Sequence, residues 1–249
     1  MLTPTAPLAL KPSTEPSAHA VGRAYSGRQS DYVDLVVEEM IPAVAEEHLA
    51  EYIDVFCDKG FFTPSETARI LEAGARHGMR PKIHACELAS SAGVEVGVAY
   101  DALSIDHLEN ASDHDLELLA RSSAMPTLLP GTSFFLNMPY ARGRHIIDQG
   151  LAVALATDCN PGSTPSADMK FVVSLACIKM RLEPTEAINA ATLNAAYAMG
   201  LSNSYGSIAV GKRANLQLTL PIPSVAYIPY AYTRDIVKMV MIEGEIIKD

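Results

Sequence analysis

Three short runs in this chain bring together side chains that bind metals or move protons. They are Ile83-His84-Ala85-Cys86-Glu87, Ile105-Asp106-His107-Leu108-Glu109 and Ala156-Thr157-Asp158-Cys159-Asn160-Pro161-Gly162-Ser163. Each run starts where a short apolar stretch ends, which places it at the C-terminal end of an expected β-strand. His84 and His107 are 23 residues apart and His107 and Asp158 are 51 apart, the lengths of one βα unit and of two. A parallel barrel built from such units gathers strand-end side chains at one mouth. An imidazole there ligates a metal ion, and an equally simple reading makes it a hydrogen-bonded core histidine. Asp158 can ligate a metal, accept a proton from water or cap the turn that follows it. Glu87, on the loop beyond His84, is placed to orient a substrate or carry a proton. Gly162 and Ser163 offer a backbone N–H and a hydroxyl to an anionic group, or form an ordinary Pro-Gly turn. Recurrence at one phase favours the shared-site reading. The chain has no His-x-His pair.

The elements that must position these residues follow from the apolar pattern. Strands are expected at 52–56, 80–84, 103–107, 125–129 and 151–156, a step of roughly 25 residues that repeated βα units produce. One earlier strand is expected around residues 13 to 19, ending at Ala18-His19, so that His19 closes the first strand. That makes about six βα units where a closed barrel has eight. Either the chain is truncated at its start or the sheet is open, and the proline-rich opening reads as an arbitrary entry point rather than a first strand. Helices are expected from Tyr32 to Leu49, from the Thr63-Pro64-Ser65-Glu66 capping sequence onward, and from Glu183 to Met199 with a stop at Gly200. After Gly200 the pattern changes to turn and strand. A short strand is expected within 205–212, followed by strands at 215–220 and 236–242, a Glu243-Gly244 turn, and a final strand at 245–247. Residues 221–234 read as an ordered loop. The expected division is therefore 1–200 and 201–249.

Composition narrows the function classes. The formal charge of −10 argues against a nucleic-acid partner, which needs clustered Lys and Arg. No apolar run is long enough for a membrane span, and the Pro-broken start is a poor secretory signal. Cys57, Cys86, Cys159 and Cys177 are scattered without a Cys-x-x-Cys, which points to reduced thiols and a cytoplasmic location. His48, His77, His114 and His145 lie on helical or helix-start segments and read as surface residues.

Taken together, these residues resemble the imidazolonepropionases, the histidine-degradation hydrolases within the amidohydrolase superfamily of metal-dependent barrels. The resemblance runs from about Pro16 to the C-terminus. It is carried by Ser17-Ala18-His19-Ala20, Ile53-Asp54-Val55-Phe56-Cys57, the three runs above, Leu128-Leu129-Pro130-Gly131, Ala190-Ala191-Thr192-Leu193-Asn194-Ala195-Ala196 and Gly206-Ser207-Ile208-Ala209-Val210-Gly211-Lys212. It implies an α/β fold: an incomplete (β/α)8 TIM barrel followed by strands of a composite β-sandwich. It also implies a cofactor, one Zn2+ or Fe ion, with His84 and Asp158 as two of its ligands. Asp158 would take the proton of the attacking water, and His107 would stabilise the oxyanion formed on the substrate. His19 and Glu87 would hold the ring and assist proton transfer, while Asn160, Gly162 and Ser163 would bind the propionate side. The reaction implied is hydrolysis of the ring amide of 4-imidazolone-5-propanoate to N-formimidoyl-L-glutamate, in a protein that can form a homodimer.

The departures are specific. The family's other two ligands form a His-x-His pair on the first barrel strand, and a substrate-binding Arg and Tyr lie in the same region; this sequence contains no such pair. Cys86 stands where an acidic residue is usual, and Asn215 where Asp is common. With two metal ligands, the chain alone is expected to be inactive or nearly so. Another amidohydrolase, such as a deaminase or cyclic amidase, or a non-catalytic fragment are the competing readings.

Overall fold

The regular apolar step becomes a series of parallel strands in a computed structural model, which describes Leu8–Ala9 and residues 23–248. The strands are β1 (Leu8–Ala9), β2 (Tyr52–Cys57), β3 (Arg80–Ala85), β4 (Ser104–His107), β5 (Met125–Leu128) and β6 (Ala154–Leu155), each beside the next in chain order. The strand expected at 13–19, and His19 with it, lie outside the described residues. The chain divides into two compact units, Met1–Pro126 and Thr127–Asp249, with the boundary inside β5. The fold class is that of a (β/α)8 barrel, with six parallel strands among the described residues.

In the first unit the strands sort their side chains by alternation. β2 is buried along its whole length, as expected for a parallel strand covered on both faces. Register pairs Val55 with Ile83 and Ile83 with Ile105, making one apolar face. Helices α3 (Pro64–Arg76) and α4 (Gly93–Ala99) cover that face, and α5 (Asp113–Ala120) lies between β4 and β5 in the chain. The opposite face is polar: Asp54 pairs with Lys82, and His84 with Asp106. Lys82 Nζ donates to Ser104 Oγ, which donates to Asp106 at 2.6 Å.

The capping box expected at Thr63 starts α3: Thr63 Oγ1 accepts from the Glu66 N–H, and the Glu66 carboxylate accepts from the Thr63 N–H at 2.8 Å. The helix expected from Tyr32 to Leu49 is present in three pieces, α1 (Gln29–Leu35), a π-turn (Val36–Met40) and α2 (Ile41–Glu46). Pro42 explains the break. It has no N–H to give, and its ring needs the preceding turn widened. Val33, Val36 and Ile41 from this helix join Ile53, Phe62, Ile70 and Leu71 in the core of the unit.

In the second unit α6 (Pro130–Phe135) follows β5, α7 (Gly143–Asp148) precedes β6, and α8 (Met169–Lys179) follows the long loop after β6. The helix expected from Glu183 is α9 (Pro184–Asn189), a π-turn (Ala190–Asn194) and α10 (Ala195–Ala198), ended by Gly200 at φ +64°. Thr192 Oγ1 bonds back to the Ile188 carbonyl at 2.7 Å inside the π-turn, a contact that bends helices. Strands β7 (Leu216–Thr219), β8 (Val237–Ile242) and β9 (Glu245–Lys248) form the expected antiparallel sheet. Glu243 and Gly244 both have positive φ, as a two-residue hairpin turn requires. Two expectations fail. The short strand within 205–212 is turn and bend, because no strand lies beside it among the described residues and Ile208 and Val210 point into solvent. The expected loop at 221–234 contains a helical turn, α11 (Tyr227–Tyr230).

Gly74 in α3 is required by a close approach. A Cβ there would lie 2.7 Å from Ile53 Cγ2 and 2.9 Å from Ile53 Cβ, and Ile53 is fully buried. Gly74→Ala gains about 1 kcal/mol of helix propensity but overpacks by roughly 1–3 kcal/mol. We therefore expect a net loss of stability, read as a lower urea midpoint. A midpoint at or above wild type would show that Ile53 has room to yield.

Candidate active site

The strand ends carry unusual backbone. Among the described residues, nine non-glycine residues have φ between +51° and +85°. His48, Asp101, Asn137 and Arg181 follow helix ends, where the left-handed conformation closes the helix. Glu243 sits in the hairpin turn. The remaining four are Cys86, His107, Leu108 and Asp158, at or just beyond the ends of β3, β4 and β6. Such strain persists only where the surrounding structure holds it, and it concentrates at functional sites.

In the first unit, β3 and β4 present His84 and His107 with ring centroids 5.1 Å apart. Simple alternation aligns His107 with Ala85, on the opposite face from His84. The left-handed turn at His107 breaks the pleat and re-aims the ring. His84 Nδ1 lies 2.9 and 2.8 Å from the two oxygens of Asp54, which β2 holds in a 5 %-exposed position. A carboxylate accepts only, so Nδ1 carries the proton, and Nε2 is the ring nitrogen whose lone pair is of the kind a metal ion takes. His107 is fully buried between two carboxylates: Nε2 is 3.1 Å from Glu87 and Nδ1 is 3.5 Å from Glu109.

The loop that carries Glu87 is clamped from beneath. Buried Asp58 accepts from the N–H groups of Glu87 at 2.7 Å, Leu88 at 3.0 Å and Lys59 at 2.7 Å. Asn110 Nδ2 donates to the Glu87 carbonyl at 2.7 Å. Asp54, Asp58, Glu109 and Asn110 therefore surround the candidate residues; sequence reasoning placed Glu109 in the run with His107 but gave none of the four a role. The signal for Asp54 was an acid inside an otherwise apolar strand.

In the second unit the loop after β6 is organised by Asn160. Its Oδ1 accepts from the N–H groups of Gly162 at 2.9 Å and Ser163 at 2.8 Å. Its Nδ2 donates to the Asp158 carbonyl oxygen at 2.7 Å and to Ser163 Oγ at 2.8 Å. Asn160, not Asp158, performs the turn-capping role. The backbone N–H and the Ser163 hydroxyl expected to meet an anion are engaged within the loop by Asn160. The Asp158 carboxylate accepts at Oδ2 from Thr132 Oγ1 at 2.7 Å.

The structure thus brings together His84, His107 and Glu87 in the first unit, and Asp158, Asn160, Gly162 and Ser163 in the second. His84, His107 and Asp158 each offer one ligand atom of the kind a divalent ion takes. The donor chemistry fits a metal, since a ligating histidine characteristically gives its other N–H to a carboxylate, as His84 does to Asp54. His48, His77 and His114 are exposed, as expected, and His145 is half-buried.

The cysteines are all free thiols. Burial pushes the Cys57 thiol up to about 11 and raises that of Cys86, so neither is a thiolate near neutral pH. At pH 8 we expect Cys159, the exposed thiol, to react first with a disulfide reagent, and Cys57 and Cys86 only on unfolding. Rapid labelling of Cys86 in the native chain would contradict this. Asp58→Ala removes three acceptor contacts and is expected to cost roughly 3 kcal/mol. It should also speed hydrogen exchange at the Glu87 and Leu88 amides; unchanged exchange there would show that the loop holds itself.

Comparison with known proteins agrees with this architecture. The chain is 52% identical over 235 residues to an imidazolonepropionase from Christiangramia forsetii, covering 94% of this chain and 57% of that protein. It is 48% identical over 241 residues to one from Flavobacterium johnsoniae, covering 97% of this chain and 58% of that protein. The chain thus spans somewhat over half the length of the curated relatives it matches. Among solved structures, an adenosine deaminase from Xanthomonas campestris with bound zinc superposes with a TM-score of 0.68 at 19% identity, over 88% of this chain and 56% of that one, a likeness of fold. The pattern of the amidohydrolase family matches residues 45–247, and this chain belongs to that family.

Proposed function

We propose that this chain carries the larger, C-terminal part of an imidazolonepropionase site, which opens the ring of 4-imidazolone-5-propanoate by adding water. The observation that carries this reading is the 52% identity to an imidazolonepropionase over 94% of the chain. The carboxylate-oriented His84 supports it chemically. In this reading residues 1–200 are barrel and residues 201–249 belong to a small β-sandwich.

His84, through Nε2, and Asp158 hold one ion, Zn2+ or Fe. Bound there, a divalent ion acidifies water and polarises the ring carbonyl. Asp158 accepts the proton of the water that attacks the carbonyl carbon. In this reading His107 stabilises the negative charge growing on the carbonyl oxygen by turning to it the Nε2–H that it holds towards Glu87, with Glu109 beside Nδ1. The ring C–N bond then breaks, and the departing nitrogen takes the proton from Asp158, giving N-formimidoyl-L-glutamate. Glu87 and His19 hold the ring. The propionate meets the loop ordered by Asn160, where it replaces the Asn160 carbonyl as acceptor for the Gly162 and Ser163 amides. In this reading the protein acts in the cytoplasm on a small-molecule substrate, and the family resemblance allows a homodimer.

The 249 residues contain no His-x-His pair. Two protein ligands hold a catalytic zinc poorly, because such sites generally use three. We therefore expect the chain alone, supplied with Zn2+ or Fe2+, to show no turnover above background. Joined to the N-terminal part of the Christiangramia forsetii relative, it should consume 4-imidazolone-5-propanoate and release N-formimidoyl-L-glutamate. A soluble, metal-loaded hybrid that ignores this compound but deaminates adenosine would overturn the reading in favour of a deaminase.

A further inference from the structure

The run Leu128-Leu129-Pro130-Gly131, with Thr132 after it, has no part in the chemistry above. Pro130 starts α6, and Thr132 sits in its first turn, fully buried. Thr132 Oγ1 is 2.7 Å from Asp158 Oδ2 and 2.7 Å from Thr164 Oγ1, and Thr164 is itself buried. The proton order follows from the groups. A carboxylate oxygen accepts, so the single Thr132 hydroxyl proton goes to Asp158. Thr132 then has only lone pairs for its neighbour, and Thr164 must donate. The result is an ordered chain, Thr164 to Thr132 to Asp158.

Gly131 makes this contact possible. A Cβ at Gly131 would lie 2.9 Å from Thr164 Cγ2, so a side chain there would push Thr164 away from Thr132. Asp158 has left-handed backbone at φ +51° and needs an anchor outside its own loop. Ser163 Oγ, at 3.5 Å from Oδ2, is too far to serve as one. We infer that Thr132 is a positioning residue for Asp158: its hydroxyl fixes the plane of the carboxylate that the proposed function uses as metal ligand and proton acceptor.

This inference rests on that reading of Asp158, so the test separates the two. The experiment compares wild type, Thr132→Ser, which keeps the hydroxyl, and the near-isosteric Thr132→Val, which removes it. Zn2+ affinity is measured by competition with a chromophoric chelator, and hydrogen exchange of the 158–164 amides is followed without metal. Thr132→Val should weaken Zn2+ about 10–100-fold and speed exchange at Gly162 and Ser163 by about tenfold. Thr132→Ser should stay near wild type in both. Val matching wild type in Zn2+ affinity, or Ser failing like Val, would overturn the role of the hydroxyl. Zn2+ affinity is read in the hybrid described above, which supplies the missing ligands; if the wild-type hybrid binds no Zn2+, the proposed function fails. Thr132 is then judged on exchange alone, and equal exchange in wild type and Val overturns the inference.

Discussion

A carboxylate buried inside a parallel strand must find a partner, and in this chain the partner of Asp54 is His84. An unpaired buried charge costs several kcal/mol, so β2 and β3 are constrained to a register that brings the two together. That register also aligns the apolar residues on the opposite face with α3 and α4. One polar contact thus fixes the imidazole orientation, the strand alignment and the surface on which the helices pack. Lys82, Ser104 and Asp106 extend the same logic one strand further, each satisfying the next.

Beyond the strands, the loops repeat the device at shorter range. Asp58 gathers three backbone amides and so sets the place of Glu87. Asn160 gathers two and so shapes the segment around Asp158. In both loops a side-chain oxygen replaces the ladder that a strand would have supplied. The left-handed residues Cys86, His107, Leu108 and Asp158 lie beside these clamps. Each such residue costs of order 1–3 kcal/mol, and the clamps are what offset it.

Much of the fold was legible in the sequence because its signals are local. The step of apolar runs located β2 to β6, the Thr63 capping box located α3, and Glu243-Gly244 located the hairpin. Where local signals misled, a local cause was also at work. Pro42 split one helix, and the apolar pair Ile208 and Val210 lacked a neighbouring strand to make them part of a sheet. The candidate residues His84, Glu87, His107 and Asp158 were legible as strand-end residues, because strand-end position follows from spacing.

Their supports were not legible. Asp54 meets His84 across 30 residues, Asp58 meets Glu87 across 29, and Thr132 meets Asp158 across 26. Sequence alone determined which elements form and which residues stand at their ends, since periodicity, capping and turn chemistry act over a few residues. Tertiary structure decided which nitrogen of His84 carries the proton, which face His107 takes and which hydroxyl holds Asp158. Those choices depend on strand register and on left-handed backbone at single residues, and neither leaves a periodic trace in the chain.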